Sequence, residues 1–174
     1  MKKKSIRIVF LIFIIGVLMM NLFLYTENKC RMSERSRELL IAIEENDSSK
    51  VHEILKDDPR CVNSLPTTAP ELLHVFLELP EVSYPLQMAC LWGRYDIANI
   101  LLENGADCNL SWKGIWGSKS PLSCAVISNT EESKALIELL LTHGADKTYI
   151  DECGKSAYDY AVENGNIEFQ ELLK

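Results

Sequence analysis

A chain of 174 residues, 47% hydrophobic and 25% charged, has room for one membrane-spanning stretch and one compact domain, and its composition excludes disorder. The formal charge of −7 is uneven: Lys2, Lys3, Lys4 and Arg7 carry +4 with no acid in the first 25 residues, leaving −11 on the rest. An acidic body without a basic stripe repels phosphate, which disfavours nucleic-acid binding and docking on anionic lipid alike.

Behind the basic start (residues 1–7), residues 8–25 read IVFLIFIIGVLMMNLFLY, an apolar run broken only by Gly16 and Asn21. As a helix it spans about 27 Å, close to the hydrocarbon core of a bilayer. Two outcomes share such a start, a cleaved signal peptide and an uncleaved anchor. Bulky residues, Leu22 to Tyr25, stand where a peptidase site wants small ones, which favours the transmembrane signal anchor. A lipid-modified Cys30 lacks the small residues such processing needs. The cations hold the N-terminus in the cytoplasm, so the chain beyond Tyr25 is expected outside, either single-pass in the membrane or, after cleavage, secreted or periplasmic. Residues 26–35 read as a linker. The short Lys-rich start and compact single domain point to a bacterial source.

Four helix-hairpin units occupy residues 36–63, 83–109, 119–147 and 151–174. The first places Leu39, Leu40 and Ala42 on one helix and Val51, Ile54 and Leu55 on a second. The next opens Tyr84-Pro85-Leu86-Gln87-Met88-Ala89 and ends Leu101-Leu102 then Gly105-Ala106-Asp107-Cys108-Asn109. The third opens Ser120-Pro121-Leu122-Ser123-Cys124-Ala125 and ends Leu139-Leu140-Leu141 then His143-Gly144-Ala145-Asp146. The last runs from Gly154 through Ala157 and Ala161 to Leu172-Leu173. Marker alanines Ala89, Ala125 and Ala161 are 36 residues apart each time. Proline suits a first helical position, and Ile97, Ile100, Leu101, like Leu136, Leu139, Leu140, form a stripe at i, i+3, i+4. Gly105 and Gly144 fit left-handed helix ends. A hairpin of this size cannot bury its stripe alone, so the units must stack.

The pattern resembles the ankyrin repeat, a turn followed by T-P-L-H-x-A and a second helix ending L-L-x-x-G-A-D-x-N. The resemblance implies an all-α ankyrin-repeat solenoid of about four repeats, preceded by the N-terminal transmembrane helix. The first unit departs from it, with Asp58-Pro59 in place of glycine-alanine, as suits an N-terminal cap. An insertion at residues 65–82 carries Leu72, Leu73, Phe76 and Leu77, an amphipathic set, and residues 110–119 form a lengthened loop.

No catalytic, metal or cofactor chemistry is expected. His52, His74 and His143 have no paired ligands, and neither a phosphate loop nor a nucleophile elbow is present. Cys90 and Cys124, beside marker alanines, read as small core residues too far apart to bridge; Cys108 and Cys153 in neighbouring fingers are the pair for which a disulfide can be imagined, and the sequence does not decide whether any forms. The resemblance implies a protein partner held by finger tips and the concave face of the first helices. Carried over by position, the binding residues are Leu91, Trp92, Ile127, Ser128, Glu163 and Asn164 on the helices, with Trp112, Trp116, Lys119, Glu152 and Lys155 on the fingers. All three tryptophans fall on that surface, where they either anchor a partner or pin the loop to the stack. The expected function is a protein–protein interaction module tethered outside the cytoplasmic membrane. A narrower alternative is a periplasmic inhibitor or immunity protein against a toxin or enzyme.

Overall fold

A computed structural model describes residues 34–64, 84–111 and 119–174. Regular structure among these residues is entirely helical. Residues 34–44 form α1, and α2 spans Ser48–Asp57, followed by a 3-10 turn at Pro59–Asn63. The remaining pairs are α3 (Pro85–Leu91) with α4 (Tyr95–Glu103), α5 (Pro121–Ser128) with α6 (Ser133–Thr142), and α7 (Ala157–Glu163) with α8 (Ile167–Leu173). No helix among the described residues is long and apolar enough to cross a membrane; the expected span at 8–25 and the insertion at 65–82 lie outside them.

Local chemistry explains where the helices begin. Asp47 accepts from the N–H of Lys50 at 2.9 Å, Ser120 from Ser123 at 3.1 Å and Asn166 from Phe169 at 3.1 Å, each covering an otherwise orphaned donor. Ser156 and Asp159 form a reciprocal capping box, with the Asp159 carboxylate 2.7 Å from the N–H of Ser156. Pro85 and Pro121 occupy first helical positions, where the missing N–H loses nothing.

Every first helix is followed by a left-handed residue at the same distance from its marker alanine. Asn46, Gly93, Asn129 and Gly165, each four residues past Ala42, Ala89, Ala125 and Ala161, have φ of 57°, 65°, 45° and 66°. In three cases the next N–H returns to the alanine carbonyl: Asp47 at 2.9 Å, Arg94 at 2.8 Å and Asn166 at 3.0 Å. The third turn differs because it holds three extra residues, Thr130–Glu132, and the N–H of Thr130 bonds to Ser133 Oγ at 2.9 Å instead. That loop folds onto the preceding hairpin: Thr130 covers Gly93, and the Glu132 carboxylate accepts from the N–H of Tyr95 at 3.0 Å. The second helices end at Gly105 and Gly144, with φ of 85° and 84°. In the first unit Asp58 replaces that glycine, its carboxylate accepting from the Arg60 side chain at 2.7 Å and from its N–H at 3.2 Å.

The first helices α3, α5 and α7 pack side by side, as do the second helices α2, α4, α6 and α8. Between the rows lies one core, with Leu39, Ile43, Ile97, Leu101, Leu122, Leu136 and Leu140 fully buried. The marker alanines, buried to 2% exposure or less, let the two rows approach. Outside the core, Asn63 Nδ2 donates to the Gly105 carbonyl at 2.9 Å while its Oδ1 accepts from the N–H of Asp107 at 2.9 Å. Asn109 repeats the pair one unit on, to Gly144 at 3.1 Å and from Asp146 at 2.8 Å.

Candidate protein-binding face

Two residues beyond each marker alanine is about 200° round the helix, pointing away from the second-helix row. Those positions hold Glu44, Leu91, Ile127 and Glu163. Leu91 is 38% exposed, Ile127 half-buried, and Glu44 and Glu163 exposed. One residue further stand Glu45, Trp92, Ser128 and Asn164. One residue before the markers, Ile41 is 46% exposed and Met88 half-buried. The first-helix face therefore carries apolar side chains at its middle and carboxylates beside them.

Trp92 caps the end of α3 and is half-buried against the core, so part of its ring serves packing while the rest reaches solvent. Ser128 is half-buried, its hydroxyl donating to the Ala125 carbonyl at 3.1 Å and lying 2.8 Å from Ser133 Oγ. Asn164 donates to the Val126 carbonyl at 3.0 Å, tying α7 to α5. Trp112 and Trp116 lie outside the described residues.

The last finger is built on Asp151. Its carboxylate accepts from the N–H of Cys153 at 2.9 Å, from that of Lys155 at 3.0 Å and from Tyr160 Oη at 2.5 Å. Burial works against this carboxylate, but the Tyr160 and backbone hydrogen bonds outweigh it and hold its pKa below the ordinary value. The same contact, after burial, pushes the Tyr160 phenol up. Lys155 pairs with Glu163 at 2.6 Å and lies 5.3 Å from the Tyr160 ring centre, so its ammonium is fixed at the finger base. Lys119 is half-buried at the equivalent place one unit earlier, near enough to favour the Asp151 charge, and Glu152 is exposed at the tip.

Cys90 and Cys124 lie in the core and are not bridged to each other, as their places beside marker alanines suggested. Cys90 follows its marker alanine and Cys124 precedes its own, so they are not equivalent positions. Both are buried, and the Cys90 thiol is pushed up by burial and then by its neighbour Cys124. Cys108 and Cys153 are free rather than bridged: Cys108 is buried with Sγ 3.2 Å from the His143 carbonyl, whereas Cys153 is exposed. No group of three or more His, Cys, Asp or Glu among the described residues could hold a metal ion.

The ankyrin-repeat family pattern matches residues 83–110. Ankyrin repeat and SOCS box protein 11 of Mus musculus is 33% identical over 127 residues, covering 72% of this chain and 36% of that protein. Its Homo sapiens counterpart is 32% identical over 128 residues, covering 73% of this chain and 36% of the relative. The chain thus spans about a third of the length of these relatives. Repeated marker alanines, left-handed turns at a fixed distance behind them and the side-by-side hairpins agree with these matches, and the chain belongs to the ankyrin-repeat family.

Proposed function

We propose that this chain is a protein-binding module whose first-helix face, centred on Leu91, Trp92 and Ile127 and rimmed by the fingers at Lys119, Glu152 and Lys155, receives its partner. The observation that carries the reading is the exposure of Leu91 on a helix whose other apolar residues are mostly buried. A rigid two-row stack holds that side chain out at small entropic cost. The proposal includes a tether: residues 8–25 anchor the module in the cytoplasmic membrane with the repeats outside, supported by their apolar run and the cations before it.

Affinity capture with the full chain tests binding, with Leu91→Ala/Ile127→Ala as control. A protein captured by the wild type and lost from a still-folded variant supports the face, and an unchanged set of captured proteins overturns it. Membrane fractionation with mass spectrometry of the N-terminus tests the tether. A mature chain starting near Thr26 to Cys30 would remove the anchor.

A further inference from the structure

The ends of the first-helix face are not alike, and the difference says what kind of segment fits. Glu163, at one end, already has a cation, the Lys155 ammonium at 2.6 Å. At the other end Glu44 and Glu45 are exposed and, among the described residues, have no ion pair. Close by in the chain Ile41 is 46% exposed, and Met88, Leu91 and Ile127 hold the corresponding exposed or half-buried places in the next two units. Apolar surface bordered on one side by carboxylates that have no ion pair among the described residues is complementary to a segment that is itself apolar and then basic. The −11 carried by the chain after its first 25 residues attracts cations from a distance as well.

Resting on the binding role proposed for this face, we infer that it takes a protein segment with two or three apolar anchors, seated over Met88, Leu91 and Ile127, and lysine or arginine over Glu44 and Glu45. Neighbouring first helices stand about 8–10 Å apart, so the distance from the Glu44 end to Ile127 is about 20 Å. About six residues of extended chain, or about thirteen of helix, cover it. The direction of the segment is fixed too, with its basic end toward α1.

The probe is a display library of random 16-residue peptides, selected on the purified full chain at low salt. Enriched peptides are expected to pair apolar residues with neighbouring Lys or Arg. Glu44→Lys/Glu45→Lys should weaken them about tenfold or more at low salt, and less as salt rises. Leu91→Ala/Ile127→Ala should weaken them by a similar factor at any salt. Glu103→Lys/Glu138→Lys, on the second-helix row, makes the same change in net charge and should leave affinity within about twofold. Circular dichroism of each variant confirms the fold. Peptides that need Leu91 and Ile127 yet bind the Glu44/Glu45 variant as well as wild type would overturn the basic-segment inference and leave the face standing. An equal loss in the Glu103/Glu138 control would overturn it also, as an effect of net charge alone. Peptides indifferent to every variant would remove both readings, and so would a selection that enriches nothing.

Discussion

The side chain of Thr130 lies where a β-carbon on Gly93 would stand, so a turn in one hairpin is closed by a residue of the next. Gly93 is also left-handed, with φ of 65°. Gly93→Ala therefore meets two penalties, about 1–2 kcal/mol of backbone strain and a clash with packed neighbours. Gly105, at φ 85°, has open space around it and meets the first penalty alone. Urea melts should show the larger loss at Gly93, with part of the difference recovered by Thr130→Ala. Equal losses would place Thr130 elsewhere.

Leu101 and Leu140 are fully buried in the second-helix row. Truncating either to alanine should cost about 2–5 kcal/mol, set by how far the stack closes over the cavity. A loss under about 0.5 kcal/mol at both sites would contradict a core between the two rows.

The Asp151 finger has a pH signature. Its folded pKa lies below the unfolded value of about 4, so the stabilisation is complete above that value and disappears as pH falls through the folded pKa. Asp151→Asn should lose about 1–3 kcal/mol at neutral pH and progressively less as pH falls below about 4, because the wild type then begins to lose the same interaction. Tyr160→Phe should reproduce part of it. Chemical denaturation at pH 7 and near pH 3 makes the comparison; a mutant penalty that does not shrink in acid would count against the charged carboxylate as the source of the stabilisation.

Asn109 bridges two units through the Gly144 carbonyl and the Asp146 N–H. Asn109→Ala should cost about 0.5–1.5 kcal/mol, since both groups remain within reach of water. Hydrogen exchange at the Asp146 amide should quicken more than that of amides in the α4 interior. Protection unchanged at Asp146 would mean the bridge is not formed.

The helix rows were legible because alanine, proline and paired leucines recur at fixed intervals and each has one physical use in a packed hairpin. The third turn was not. Leu136 lies eleven residues past Ala125 where Ile97 lies eight past Ala89, and marker alanines alone conceal those three extra residues. Nor could local sequence place Glu132 against Tyr95, since the contact joins residues 37 apart and exists only once the hairpins have stacked. At the face, alignment located Leu91, Trp92 and Ile127 but not how much of each remains outside. Trp92 is half covered, and the hydroxyl of Ser128 is spent on the backbone, because a helix end must satisfy its own groups first.

The asparagine bridges would join almost any two units of this pattern, since they touch only backbone. The Thr130–Glu132 loop is different: it needs a glycine ahead of it at Gly93 and a helix start at Tyr95 to receive its carboxylate. A rearranged chain with the second and third hairpins exchanged would keep every helix and every marker alanine, yet leave that loop without its seat. The hairpins are therefore not interchangeable parts, and their order along the chain is written into one turn.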